Sequence, residues 1–142
     1  MSDYRIVDEV LQPVRANELT AQSLMSQIEQ ADRIIRKYTG MTLGKPAEKI
    51  VTDTLEKLGK YEQRLNACID VLVERREHAE KYLNTLDGEE HAVIYAYYFA
   101  GKAWRKIAAE TYMSDRRVFL LRKRALDKLE QAYNKEEQGS GQ

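Results

Sequence analysis

Apolar residues recur at every third and fourth position along two long stretches of the chain. This repeat of about 3.5 residues is typical of helices that supercoil against a partner. At the α-helical rise the two stretches would span about 47 and 53 Å, and the short connection between them favours an antiparallel helical hairpin. The two seams consist of Val7, Val10, Val14, Asn17, Ala21, Leu24, Ile28, Ala31, Ile35 and Tyr38, and of Val51, Leu55, Leu58, Glu62, Leu65, Ile69, Leu72, Arg76, Ala79, Leu83 and Leu86.

Helix breakers and end residues set the bounds of this hairpin. Pro13 lies inside the first seam, where its ring clashes with the preceding turn and one backbone hydrogen bond is lost, so we expect a kink or break there. The predicted helices cover about residues 3–38 and 46–86. Residues suited to the helix ends are Asn17, as a cap after the kink, and Gly40, Gly44 and Pro46 in the connection.

Two charged residues interrupt the second seam. Glu62 and Arg76 would cost stability at an interface, although such residues can fix helix register or partner number. Alternatively, a modest rotation of the helix would place Tyr61 and Cys68 in the interface instead. Cys68 is the single cysteine of the chain, so it forms no internal disulfide, and we interpret it as a small apolar seam residue.

The pattern changes after Leu86. Asp87 is followed three positions later by Glu90, an arrangement that predicts a capping box and a new helix starting at Asp87. Ser114 is a good N-cap for the last helix. The fold class is therefore all-α, with a hairpin at 1–86, a three-helix domain at 87–135 with helices at about 88–100, 102–110 and 114–134, and a disordered tail at 136–142.

Charge is balanced over the whole chain but concentrated locally. The 142 residues hold 23 basic and 23 acidic side chains, so net charge gives no general attraction to nucleic acid or membranes. Residues 102–128 hold nine basic and three acidic residues, which gives this segment a charge of +6. The basic residues are Lys102, Arg105, Lys106, Arg116, Arg117, Arg122, Lys123, Arg124 and Lys128.

A short helix, a tight turn and a longer basic helix indicate a helix-turn-helix, whose last helix would lie in a DNA major groove. Helical spacing predicts its core at Ile107, Ala108, Val118, Leu121 and Leu126, packed on Val93, Ile94 and Tyr97 and anchored by Trp104. The outward face would carry Asp115, Arg116, Phe119, Arg122 and Lys123. The alternative is that the basic run is simply a solvated helix face.

Three segments carry a family resemblance. The sequence from Tyr97 to Ala108, YYFAGKAWRKIA, together with SDRRV at 114–118 and ALDKL at 125–129, resembles region four of bacterial sigma factors. With the preceding hairpin, whose connection contains Thr-Gly-Met at 39–41 and Lys-Pro at 45–46, the chain is similar to phage and prophage proteins that include the RinA and ArpU late-transcription regulators.

The resemblance implies a transcriptional regulator, most simply an activator of phage or prophage genes in the cytoplasm of a bacterial host. Its partner would be double-stranded DNA, and the hairpin would dimerise or present a surface to RNA polymerase. One departure is Tyr112, which stands where the family usually has a glycine with positive φ, so we expect a differently built turn. The predicted DNA-binding residues are Lys102, Arg105, Ser114, Asp115, Arg116, Arg117, Phe119, Arg122 and Lys123.

Arg116 is the candidate for a base contact, and Arg117, Arg122, Lys123 and Arg124 would meet phosphates or acidic neighbours. Phe119 and Leu120 could touch thymine methyl groups, pack on the hairpin or bury against a second subunit. Two other functions stay open on the sequence. One is a protein-interaction module that docks on RNA polymerase with little DNA contact, and the other is a small terminase subunit.

Other chemistry has little support in the sequence. No glycine-rich phosphate loop, nucleophile elbow or acid–base constellation is visible, so we expect neither enzyme activity nor a cofactor. His78 and His91 have no second ligand at one-turn spacing, which argues against a metal site. The chain shows neither a signal-peptide pattern nor an apolar run of about 20 residues, which predicts a soluble cytoplasmic protein.

Overall fold

The computed structural model describes residues 2–39 and 45–140, and within these ranges every regular element is helical. The all-α prediction is thereby confirmed. Gly40, Gly44 and the Gly-Met part of the predicted connection, like the last two residues of the predicted tail, lie outside the described residues. The helices are α1 Gln12–Thr39, α2 Lys45–Leu83, α3 Gly88–Ile94, α4 Trp104–Glu110 and α5 Asp115–Ser140, with π-helical turns at Val7–Leu11 and Tyr95–Phe99.

The interruption expected at Pro13 takes the form of a π-helical turn directly before α1. Proline lacks an N–H, and its ring excludes the carbonyl four residues earlier. The chain widens ahead of it, and the Gln12 N–H donates to the carbonyl of Val7, five residues back. Because α1 starts at Gln12 and continues to Thr39, Asn17 lies inside the helix, and its predicted role as a cap is wrong.

The chain divides into two compact units. We call Met1–Glu18 with Leu72–Gln142 the core unit, and Leu19–Val71 the paired-helix unit. The sequence instead predicts a boundary between residues 86 and 87. The difference arises because the first residues of the chain and the last third of α2 bury their apolar side chains in the same core as α5.

The core unit is organised around one large apolar cluster. Leu11, Leu83, Phe99 and Leu126 are at most 1% exposed in this cluster, so it draws on residues far apart in sequence. Polar contacts hold the start of the chain to α5 at this point. The Tyr4 hydroxyl donates to Asp127 at 2.8 Å, and the Arg5 and Ile6 N–H groups donate to Glu130 at 3.0 and 2.9 Å.

Arg76 serves this core rather than a helix seam. Its guanidinium donates to the Phe99 carbonyl at 3.2 Å and lies 5.5 Å from the centroid of the Phe99 ring. That carbonyl belongs to the π-helical turn after α3. The half-buried cation therefore satisfies a backbone acceptor.

The paired-helix unit has a much smaller core. Ala21 and Leu24 of α1 pack with Cys68 of α2, while Tyr61 and Leu65 cover the cluster. Farther along α1, Ala31 lines a groove together with Thr54, which precedes Cys68 on α2. Because later residues of α1 lie beside earlier residues of α2, the two helices run antiparallel within this unit. The rotated register is the one observed, because Tyr61 and Cys68 face α1 and Glu62 is exposed. Leu55 and Ile69, predicted in the seam, are 51% and 40% exposed.

Both ends of the predicted C-terminal domain are helical. The capping box is confirmed: Asp87 accepts from the Glu90 N–H at 2.9 Å, and the Glu90 carboxylate accepts from the Asp87 N–H at 3.2 Å. At the other end α5 extends to Ser140, where the sequence predicts a disordered tail from residue 136. Glu136 and Glu137 pair with Lys81 and Arg5 at 2.7 and 2.6 Å, which gives this last part of α5 partners in the core unit.

None of the described helices combines the length and apolarity needed to cross a bilayer.

Candidate nucleic-acid interface

The site is built on α4, the turn after it and the start of α5. At the end of α4, the Met113 N–H donates to the Ala108 carbonyl at 3.0 Å and the Tyr112 N–H donates to the Ala109 carbonyl at 3.4 Å. These two bonds form a Schellman motif, which requires a left-handed residue between them. Tyr112 supplies it with φ of 57°. The expectation of a differently built turn is wrong, because tyrosine adopts the backbone conformation that glycine would favour, at a cost of about 1–2 kcal/mol.

The next helix begins as the sequence predicts. The Ser114 hydroxyl accepts a hydrogen bond from the Arg117 N–H at 3.1 Å and so caps the first turn of α5. This bond uses one acceptor site of the hydroxyl that we predicted to contact DNA, and the O–H group can still donate to a phosphate. Ser114 nonetheless remains exposed.

A small apolar cluster fixes α4 against α5. Val93, Ile107, Ala108, Val118 and Leu121 are buried in it, as predicted. Of the other predicted members, Tyr97 and Trp104 are partly buried against this cluster, whereas Ile94 and Leu126 belong to the larger cluster of the core unit. The angle between the two helices therefore depends on residues from α3, α4 and α5 together.

Trp104 anchors α4 through a stack of side chains. Its ring lies 3.9 Å from the Tyr97 ring, centroid to centroid, with 7° between the planes. The guanidinium of Arg15 lies 3.8 Å from the Tyr97 ring centroid and donates hydrogen bonds to the carbonyls of Tyr97 and Lys102. These carbonyls flank the loop that enters α4, so a side chain from the first helix holds the backbone of the site.

Five of the nine basic residues are already paired with carboxylates of the core unit. Lys102 contacts Glu110 at 2.6 Å and, through hydrogen bonding, lowers the pKa of that carboxyl group. Lys128 contacts Glu90, the buried carboxylate of the capping box, at 2.6 Å. The remaining pairs are Lys106–Glu110 at 3.9 Å, Arg117–Glu89 at 3.0 Å and Lys123–Asp127 at 3.3 Å.

Arg122 does not lie on the outward face, where the sequence places it. The side chain is half-buried, its guanidinium lies 5.5 Å from the Trp104 ring centroid, and its Nε is buried with no hydrogen-bond partner among the described residues. It also lies near Tyr98. Burial raises the pKa of Tyr98 to about 12, and the positive charge of Arg122 opposes that increase. Arg122 therefore packs inward beneath α4.

Of the nine basic residues, three arginines are exposed and form no ion pair with any residue in the described ranges: Arg105, Arg116 and Arg124. Arg116 and Arg124 are two turns apart on α5, and Leu120 lies between them on the same face. Leu120 is 43% exposed and its neighbour Phe119 is 49% exposed. The resulting surface combines unpaired positive charge with apolar area.

Asp115 is also exposed, on the first turn of α5, where a carboxylate complements the helix dipole. Thus Arg105, Asp115, Arg116 and Phe119 are presented to solvent as predicted. Arg124, which is outside the predicted set, joins them.

The described ranges contain no group of three or more His, Cys, Asp or Glu side chains placed to hold a metal ion. The two histidines pack on aromatic rings instead. His78 meets Tyr82 edge-on at 5.8 Å, and His91 stacks on Tyr95 at 6.0 Å between centroids.

Comparison of the chain with protein-family models, with curated proteins and with solved structures gives no match. The functional interpretation therefore depends on the geometry described above and on the resemblance of the quoted segments.

Proposed function

We propose that the chain is a transcriptional regulator that binds duplex DNA, with α4 and α5 forming a helix-turn-helix and α5 serving as the recognition helix. The observation that carries this proposal is the exposure of Arg105, Arg116 and Arg124 without a described carboxylate partner. In a recognition helix the first turns meet base edges, and the surrounding cations meet phosphates. Arg116, on the first turn of α5, is accordingly the base-contacting residue.

The paired cations have a secondary role in this proposal. The side chains of Lys102, Arg117 and Lys123 are 37%, 46% and 69% exposed in their ion pairs. Exposed pairs of this kind contribute about 0–1 kcal/mol, so a phosphate could replace the carboxylate at little cost. Their contribution to DNA affinity is smaller than that of an unpaired arginine, because each must first give up its partner.

The biological setting is proposed from the sequence resemblance. Segments 97–108, 114–118 and 125–129 resemble sigma region four, and the preceding helix pair is similar to that of RinA- and ArpU-type regulators. We propose that the genes controlled are phage or prophage genes, that the effect is activation, and that the chain works in the cytoplasm of a bacterial host. The left-handed backbone at Tyr112 supports a turn like that of the family.

The direct test is a salt titration of duplex binding by fluorescence anisotropy. Two phosphate contacts, from Arg105 and Arg124, predict a slope of log affinity against log salt of about −1.8. Replacing Arg124 with alanine should reduce the magnitude of this slope by about 1, whereas Arg116→Ala should mainly relax the preference for the cognate sequence. Lys57→Ala, an exposed cation of the paired-helix unit, is the matched control and should leave the slope unchanged. A flat salt dependence, or full affinity in the triple variant R105A/R116A/R124A, would contradict the proposal.

A second candidate function is docking on RNA polymerase, which the exposed Phe119 and Leu120 favour. The two functions separate cleanly in one pair of variants. R105A/R116A/R124A should lose duplex affinity if the chain reads DNA. If it is an interaction module, this variant keeps its affinity for purified bacterial polymerase in biolayer interferometry, whereas F119A/L120A loses it.

We also propose that the chain dimerises through the paired-helix unit. Leu55 and Ile69 support this, because they repeat at heptad spacing yet are left half-exposed by the internal helix pair. Two recognition helices would then meet the duplex about one helical turn apart. Light scattering should give twice the chain mass of 16.5 kDa, and L55E/I69E should give the monomer. A larger ring would instead favour a small terminase subunit.

A further inference from the structure

We propose that Phe119 and Leu120 read the 5-methyl groups of thymines in the major groove. This inference rests on the proposed DNA-binding function and adds the chemical feature that the recognition helix selects. The two residues lie on the second turn of α5 and are 49% and 43% exposed. They are the large apolar side chains on the part of α5 that would enter the groove.

Leu120 has a cationic neighbour one turn away on each side, and Phe119 has Asp115 before it and Lys123 after it. Arg116 lies one turn before Leu120, and Arg124 lies one turn after it. A purely apolar protein partner would bury these charges without a counter-ion, which is costly. A DNA major groove supplies phosphates at its rims and an apolar group, the thymine methyl, on its floor. The combination of charge and apolar area therefore favours duplex DNA.

The Phe119 ring is also held in position. Its centroid lies 6.1 Å from the Trp104 ring at an angle of 48°, and Trp104 is itself stacked on Tyr97. One flank of the ring is thus supported, while about half of the side chain stays open to solvent. A side chain already restrained in this way loses little conformational freedom on binding. The restrained Phe119 ring can therefore bind thymine more tightly than a base that lacks the methyl group.

The experiment starts with selection of bound fragments from a random-sequence duplex library. In the enriched duplex, each thymine is then replaced in turn by deoxyuridine, which removes the methyl group and leaves base pairing intact. At each contacted position the wild-type chain should lose about fourfold in affinity, which corresponds to one buried methyl group. F119A/L120A should bind the thymine and deoxyuridine duplexes equally.

Leu120→Ala alone is a second test variant, since it leaves the Phe119–Trp104 contact intact, and circular dichroism confirms that each variant is folded. Met25→Ala, another exposed apolar residue at 51%, is the matched control and should discriminate thymine from deoxyuridine as the wild type does.

Failure of the inference differs from failure of the proposed function. If no duplex is enriched, the result contradicts the proposed DNA binding and, with it, the reading of thymine methyl groups. If a duplex is enriched but the wild type binds its thymine and deoxyuridine forms equally, methyl reading is overturned while DNA binding stands. Methyl reading is also overturned if F119A/L120A keeps full duplex affinity and discrimination but loses affinity for RNA polymerase.

Discussion

The core unit and the paired-helix unit bury apolar side chains to very different depths. The core unit encloses large residues such as Tyr98 and Phe99, which are at most 1% exposed. In the paired-helix unit the buried cluster consists of Ala21, Leu24 and Cys68, each between 5% and 9% exposed. The same 3.5-residue repeat runs through both units in the sequence. A uniform hydrophobic pattern therefore does not imply uniform stability.

The physical reason is the number of elements around each side chain. In the core unit, residues of α2 meet the start of the chain, the turn after α3, and α5, so that they are covered on several sides. In the paired-helix unit each helix has one described partner and buries one narrow stripe. Since the hydrophobic contribution scales with the area removed from water, the core unit should carry most of the stability.

The largest expected effect is a loss of unfolding free energy when a buried leucine of α2 is truncated, compared with an exposed leucine of the same helix. Leu83→Ala, at 1% exposure in the core unit, should cost about 2–5 kcal/mol of unfolding free energy, because it removes buried methyl groups and leaves a cavity. Leu55→Ala, at 51% exposure in the paired-helix unit, should change it by about 0.5 kcal/mol or less at protein dilutions where the proposed dimer dissociates. Urea unfolding followed by circular dichroism measures both. Equal losses of unfolding free energy in Leu83→Ala and Leu55→Ala would contradict the difference in burial between the two units.

A smaller effect is expected from the arginine that holds the entry to α4. Arg15→Ala removes two hydrogen bonds to backbone carbonyls and a cation–π contact, and it should cost about 1–3 kcal/mol. The emission of Trp104, the single tryptophan, should change as well, because Tyr97 loses its cover. Arg36→Ala, in an exposed ion pair of the paired-helix unit, should cost only about 0.3–0.5 kcal/mol. An unchanged Trp104 spectrum in Arg15→Ala would contradict the stack.

Relief of the backbone strain at Tyr112 should raise the unfolding free energy by an amount similar to, or smaller than, the loss expected for Arg15→Ala. Tyr112→Gly removes the penalty of a left-handed tyrosine but adds freedom to the unfolded chain, so we expect a net stabilisation of about 0.5–1 kcal/mol. Tyr112→Ala keeps the Cβ atom and should not stabilise. Because the side chain is 97% exposed, neither change disturbs packing. Thermal unfolding monitored at Trp104 compares the three forms.

The smallest expected effect is on the acid stability of the core unit. The Tyr4 hydroxyl holds the pKa of Asp127 below its ordinary value of 3.8, and Lys102 holds that of Glu110 below 4.5. A lowered folded-state pKa contributes stability that is present above these values and is lost as pH falls through the folded-state pKa. Trp104 fluorescence should therefore report easier unfolding at pH values below about 4. Asp127→Asn should weaken this dependence, and an unchanged acid profile would count against the Tyr4 contact.

Local signals in the sequence predict the helix starts correctly. Asp87 with Glu90, and Ser114 before α5, are recognisable because cap and target are only three residues apart. The pairing of Ile107 with Val118 follows equally from helical spacing. These features depend on nearest neighbours, which a single sequence contains.

Helix rotation and turn geometry are harder to predict. A 3.5-residue repeat is compatible with both Glu62 and Tyr61 as seam positions, and only the facing helix decides between them. At Tyr112 the residue type argues against a positive φ, yet the two hydrogen bonds that close α4 impose it. In each case the surrounding structure overrides a local preference.

The predicted outward position of Arg122 is wrong, because a long side chain on this helix can point either way. Arg122 is one turn from both Val118 and Leu126, which are buried, and this spacing is the signal that places it inward. Arg15 has no comparable signal, because its partners lie 82 and 87 positions away. Contacts of that separation depend on the tertiary fold.

The docking of the chain's first residues on α5 limits how α4 and α5 can be inherited. If recombination moved residues 87–142 alone into another protein, Ile94, Phe99 and Leu126 would lose the cover that residues 1–18 and the end of α2 provide. Such a hybrid would expose an apolar surface and aggregate. Helix α5 therefore does not fold as an independent module, and recombination can transfer it intact only together with residues 1–18 and the end of α2.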